Sequence, residues 1–250
     1  MRNIIYLALA GGLLILNSCD KTKNKVDYTL NFQLVNGGSN YSLETLYNTS
    51  DNISTSLESV RFYMANLYFV NDENEDVLTK DIELVTFNTS GIATVNFELP
   101  VDKYSNIKFG IGVPEELNSA DPSNYNTDPD HPLNSLNSTY WGWTAMYRFV
   151  MYEGRFDADG DGSTEGLLSM HTGYNSSYRN VEFPVELSLK KKETYTTNFE
   201  VDVYDFFDAS AASKIDIVTE NQYHGSTAAA DIDLANRISD NFAASIKLVE

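Results

Sequence analysis

The 250-residue chain holds one cysteine, three histidines and two tryptophans. A disulfide within one chain needs two thiols, so Cys19 alone excludes a cross-linked framework. Positive charge is scarce: 17 Lys and Arg face 36 Asp and Glu, a formal charge of -19. Neutralising phosphates takes clustered cations, so nucleic acid is not an expected partner. The one basic run, Lys190-Lys191-Lys192, suits a solvated turn. Long apolar runs are missing too. The best stretch, residues 4–16, falls short of the roughly 20 apolar residues that span a bilayer as a helix. There is no Gly-x-Ser-x-Gly elbow and no glycine-rich phosphate loop of the usual form. Paired carboxylates for glycoside hydrolysis are uninformative in so acidic a chain. The expectation is a protein that is not an enzyme.

Arg2 followed by the apolar residues 4–16 has the proportions of a signal-peptide core. It closes on Leu16-Asn17-Ser18-Cys19, which resembles the bacterial lipobox, where a small residue precedes the cysteine that receives the lipid. The expected organisation is a lipoprotein signal peptide over residues 1–18, a lipidated Cys19 with a polar tether over 19–25, and one domain over 26–250. The lipid would anchor the chain to a bacterial membrane, expected to be the outer one, with the domain in the cell envelope outside the cytoplasm.

What is abundant suits strands: 16 Tyr and 13 Phe. Val181, Phe183, Val185, Leu187 and Leu189 alternate with polar residues or proline, the period of a half-buried strand. Pro184 cannot donate a ladder hydrogen bond, which predicts an edge strand or a bulge. Similar alternation marks residues 28–34, 107–113 and 199–203, and further strands are expected over 60–70, 81–87, 93–99 and 143–152. Residues 71–75 form a polar turn. Residues 115–138 are rich in Asn, Asp, Ser and Pro, too long for a turn, and long irregular loops are often functional. In the tail, Ile232, Ala235, Ile238, Phe242 and Ile246 fall at helical spacing, with Ser226 or Thr227 as candidate caps, and residues 244–249 read equally as a short strand. Many short strands and one late helix predict an all-β fold, a β-sandwich of mainly antiparallel strands with long loops and a C-terminal helix.

Three features carry candidate chemistry. The histidines, His131, His171 and His224, are far apart in sequence and form no short-spaced ligand motif, though imidazole suits copper, zinc, iron and nickel. Asp157, Asp159 and Asp161 alternate with small residues and Gly162 follows, like the first half of a calcium loop. The twelfth EF-hand position is Leu168 instead of a bidentate glutamate, so the full pattern fails, although Glu165 offers another oxygen. A structural calcium site and an acidic hairpin turn without metal both stand. Both tryptophans lie in Tyr140-Trp141-Gly142-Trp143. Exposed, they would stack on sugars; buried, they are core, and the strand pattern through Tyr147 and Phe149 assigns Trp143 to the core.

Several segments, in order, resemble the MbnP-like family of copper-binding proteins: Val60-Arg61-Phe62-Tyr63-Met64-Ala65-Asn66-Leu67, then Phe109-Gly110-Ile111-Gly112-Val113-Pro114 with Asn118. His131-Pro132-Leu133-Asn134, Tyr140-Trp141-Gly142-Trp143, Tyr147-Arg148-Phe149, Glu153-Gly154 and Met170-His171-Thr172-Gly173 follow. His224, ahead of Asn236 and Phe242, resembles the end of the domain. The resemblance implies a β-sandwich, copper held by histidines, and a tryptophan oxidised to kynurenine by a partner di-haem, peroxidase-like enzyme. Carried over by position, His171 and His224 match the ligands best, with His131 a third candidate. The family's modified tryptophan lies two residues before a ligand histidine, and here that position is Ser169. The leading expectation is a lipid-anchored copper-binding protein for capture, storage or delivery. The alternative is a metal-independent surface binding or adhesion module, using its aromatics for glycan.

Overall fold

A computed structural model describes residues 24–142, 146–208, 213–225 and 229–249. The signal peptide, Cys19, Trp143, Ser226 and Thr227 lie outside the described residues.

Fifteen strands follow in order: β1 (Lys25–Asn36), β2 (Ser39–Asn40), β3 (Leu46–Asn48), β4 (Ser54–Asn71), β5 (Asp76–Thr86), β6 (Ile92–Pro100), β7 (Lys103–Ile111), β8 (Tyr140–Gly142), β9 (Met146–Tyr147), β10 (Val150–Phe156), β11 (Gly166–His171), β12 (Arg179–Ser188), β13 (Tyr195–Asp202), β14 (Gln222–Tyr223) and β15 (Ile246–Val249). Short helices occupy Glu115–Asn118 (α1) and Asp205–Asp208 (α2), and the tail helix is Ala229–Ser245 (α3).

Period-two patterning builds two facing sheets. In β1, Val26, Tyr28, Leu30, Phe32 and Leu34 are buried while Asp27, Thr29, Asn31 and Gln33 are not. β1 runs parallel to β13 and antiparallel to β6 and β2, and β15 pairs with β13. The larger sheet runs β12-β7-β4-β10-β11-β14, with β3 and β5 on the other side of β4. Aromatic rings fill the core: Phe32 stacks on Phe199 of its own sheet at 5.1 Å and meets Phe62 of the facing sheet edge-on at 5.7 Å. Helix α3 adds Phe242 to that layer, 5.1 Å from Phe62. The architecture is the expected all-β sandwich, mainly antiparallel, with a C-terminal helix.

Particular elements follow their patterns. β12 is an edge strand and its register shifts between Pro184 and Leu187, where the missing N–H interrupts the ladder. Asn71 and Glu75 close the polar turn by backbone bonding, with Asn74 in the left-handed region. Two expectations need correction. The strand predicted over 143–152 is broken: Met146–Tyr147 pairs with β8, and β10 begins only at Val150. Between them Arg148 N–H donates to Thr139 and Phe149 N–H to Thr172, so the chain changes partners. On α3, Ile232 is 37% exposed and Leu234 takes the buried place. The packed face begins nearer the middle of the helix, where Ala235 and Ile238 are buried.

Strand β4 also explains where the long loop goes. Up to Phe62 it pairs with β10, and from Met64 with β7 on the same side. Tyr63 sits at the changeover, bonded to Phe149 and to Gly112. Residues 112–142 and 146–149 leave the ladder at this point and fold onto the sheet's outer face. There Tyr63, Ala65, Ile82, Val113, Leu133, Tyr147 and Phe149 form a second, smaller core. The Tyr63 hydroxyl bonds Pro132 and Thr139, and the Tyr147 hydroxyl donates to Leu133. The loop is thereby held as structure rather than left as a tether.

Candidate metal centre

The second core reaches the open end of the β10–β11 hairpin, where Phe149 N–H donates to the Thr172 carbonyl. In β11, Leu168 and Met170 belong to the sandwich core, so His171, one residue on, turns to the opposite face with Ser169. Strand β14 runs parallel to β11 with Ser169 opposite Gln222 and Met170 opposite Tyr223. The next step of that register sets His171 beside His224. Their ring centroids are 5.0 Å apart with planes at 86°. Two histidines 53 positions apart in sequence are thus neighbours because two short strands lie side by side.

Three further side chains complete the surroundings. Glu153 is opposite Ser169 on β10, on the same face as His171, and its Oε1 lies 2.6 Å from His171 Nε2. Trp141 from β8 lies beside both imidazoles, tilted to each, 5.6 Å from His171 and 6.3 Å from His224. The Arg148 guanidinium lies 5.2 Å from the Trp141 ring centroid. A cation over an indole face is attracted by the ring's quadrupole.

The surroundings shift two titrations, those of His224 and Glu153. Partial desolvation pushes the imidazole of His224, an exposed residue, below its usual range, and repulsion from Arg148 and from His171 when protonated adds to that. A neutral imidazole is the metal-ligating form. The bond from His171 holds the Glu153 carboxyl below the usual carboxylate range against its partial burial. Three buried polar atoms here have no hydrogen-bond partner: His171 Nδ1, Arg148 Nε and Thr172 Oγ1. Buried groups are normally paired, so this unpartnered imidazole nitrogen, on a ring next to a second imidazole, is a candidate ligand atom.

His131 is not brought into this group. Its Nδ1 accepts from Leu133 N–H at 3.0 Å and its ring stacks on Tyr125 at 4.8 Å, which organises the long loop. The acidic residues do converge: donor oxygens of Asp157, Asp159, Asp161 and Glu165 lie within 4.8 Å of one another. This is the sole group of three or more such donors among the described residues. Its oxygens are already engaged. Asp157 accepts from Gly160 at 2.7 Å and Gly162 at 2.9 Å, and Glu165 accepts from Ala158 at 3.0 Å. Sequence reasoning missed the parts played by Glu153 and Arg148. Their only signal was membership in segments that resemble the family, since neither spacing nor composition pairs Glu153 with His171.

Fold and site together define a class: a two-sheet β-sandwich carrying a buried and an exposed histidine side by side, next to Trp141, on the outer face of its larger sheet. The MbnP family model matches residues 25–228, and the chain belongs to that family. Among solved structures, MbnP from Methylosinus trichosporium is similar at 18% identity with a TM-score of 0.54, over 90% of this chain and 98% of that one. At that identity the likeness shows the fold. No curated protein matches the chain. Among the described residues, no helix is long and apolar enough to cross a membrane.

Proposed function

We propose that this protein binds copper through His171 and His224, outside the cytoplasm and anchored by lipid at Cys19, for capture, storage or delivery of the metal. The observation that carries the reading is the imidazole pair, 5.0 Å between centroids, with His171 Nδ1 buried and unpartnered. Neutral imidazoles suit late first-row metals, and copper heads the affinity order among the divalent ones. Family membership agrees with that choice. Bound there, copper would be held by the two rings, with Trp141 beside them and the Glu153 carboxylate offsetting positive charge.

Trp141 is half-buried and turned toward the histidines. That placement speaks against a sugar-stacking role for it. A di-haem, peroxidase-like partner enters this reading through one door, oxidation of a tryptophan to kynurenine. The indoles at hand are Trp141 and Trp143, because position 169 is serine. The partner's effect would be read by mass spectrometry of the peptide holding Trp141 and Trp143.

The test is copper retained after dialysis against a weak competitor, for the parent and for the His171→Ala, His224→Ala double variant. Stoichiometric copper in the parent, lost in the variant, supports the site. An empty parent sinks the copper reading and leaves the family fold without this chemistry.

A further inference from the structure

The geometry points to Glu153 as the positioning residue of the candidate centre: its carboxylate fixes the ring of His171 so that Nδ1, not Nε2, is the atom presented to a metal. The inference rests on the copper reading for its purpose but not for its first observable, the state of the metal-free ring.

An imidazole offers two nitrogens, and a flip of the ring exchanges their positions. A neutral ring carries one proton, so one nitrogen donates and the other keeps its lone pair. In this chain the two nitrogens have different surroundings. Nε2 is 2.6 Å from Glu153 Oε1, and a carboxylate only accepts, so the proton belongs on Nε2. Nδ1 is buried without any protein partner. The ring is 5% exposed in its side chain, so water does not satisfy that nitrogen from the surface. The His171 ring lies 5.0 Å from the His224 ring, centroid to centroid, at near-perpendicular planes. A carboxylate behind a ligating imidazole orients the ring and raises its basicity.

The backbone makes Glu153 stiff enough for this role. It is paired with Ser169 in the β10–β11 ladder and with Ser59 in β4. The register with β4 shifts between Glu153 and Gly154, skipping Glu58. Gly154 permits the close approach: a Cβ there would stand 2.3 Å from the Ser56 carbonyl oxygen and 2.9 Å from Leu57 Cα. Glu153 is therefore fixed at a bulge between two strands, and bulges commonly serve to aim a side chain.

Two readouts test the assignment. The first is the ring-nitrogen NMR spectrum of the metal-free protein, labelled at histidine, with His171→Ala used to assign the resonances. Protonated Nε2 with bare Nδ1 is expected; protonated Nδ1 with bare Nε2 overturns the proposal. The second is copper affinity by competition for Glu153→Ala and Glu153→Gln. Loss of such an outer carboxylate weakens binding by about 10–100-fold, so Glu153→Ala is expected in that range. Glu153→Gln is expected to lose less, because an amide oxygen still accepts from Nε2–H. Parent-like affinity in Glu153→Ala overturns the proposal. If Glu153→Ala fails to fold, the parent spectrum and Glu153→Gln decide. A parent that binds no copper removes the copper reading, and the metal-free spectrum still decides for or against Glu153.

Discussion

Strands β10 and β11 form one hairpin with two polar ends, about 17 Å apart at the rise of an extended chain. The turn end holds Asp157, Asp159, Asp161 and Glu165; the open end holds Glu153 and His171 beside His224. Burial alone does not separate them, since each end sets one buried residue, Asp157 at 7% and His171 at 4%, beside more exposed ones. Hydrogen bonding does. Asp157 receives Gly160 and Gly162, Asp159 receives Asp161, Asp161 receives Ser163, and Glu165 receives Ala158. These are the bonds by which carboxylates shape a tight turn. At the open end His171 Nδ1, Arg148 Nε and Thr172 Oγ1 are buried and unpartnered. An unsatisfied buried group costs about 1–3 kcal/mol. Polar groups consumed by their own backbone make structure; those held ready at a cost make a site.

The largest expected effect crosses the two ends. His224→Ala is expected to weaken copper binding by at least about 100-fold, or about 2.7 kcal/mol, measured by competition with a chelator. Asp159→Asn with Asp161→Asn is expected to leave that affinity within experimental scatter. Copper lost through the acidic pair and kept without His224 would reverse the comparison.

Next is Gly154→Ala, which acts between the ends. The new methyl meets backbone, not a movable side chain, so β4 and β10 must separate at a cost of about 3 kcal/mol. Glu153 moves with them, so urea unfolding and copper affinity should both worsen. An effect on stability alone would mean that the bulge does not aim Glu153. Asp157→Ala then isolates the turn. It removes two bonds to a buried carboxylate, for a loss of about 2 kcal/mol, with copper affinity unchanged.

How far the sequence carried differs between these ends as well. The acidic loop is contiguous, so its convergence was visible as spacing from Asp157 to Glu165. The histidine pair was visible only through resemblance, because the parallel contact of β11 with β14 joins segments 53 residues apart. The sandwich was legible from period two in β1, β7, β12 and β13, including the interruption at Pro184. The break before Val150 was not. Tyr147 and Phe149 alternate correctly for a strand, yet both are buried in the second core while the backbone changes partners between them. Alternation reports which side is buried, not which strand is the neighbour. For the same reason Glu153 passed as one acidic residue among 36.

The smallest effect concerns what holds His224 itself. Glu220, just ahead of β14, is bound by Arg237 from α3, which also donates to the Lys214 carbonyl and to Asp233. The Arg237 bonds hold the Glu220 carboxyl below its ordinary value of 4.5. A lowered folded value means that the unfolded chain takes up the proton first. The stabilisation is therefore present above about pH 4.5 and is lost as pH falls through the lower folded value. The pair is partly exposed, at 18% and 30% for the two side chains, so its worth is set at about 1 kcal/mol. Glu220→Gln should lower stability by that amount at pH 7, and parent and variant should converge as the pH drops below 4.5. Copper affinity at pH 7 should fall only slightly, because the β11–β14 ladder still fixes the register. A large loss of copper in Glu220→Gln would mean that the open end, unlike the acidic turn, depends on a tether outside its own hairpin.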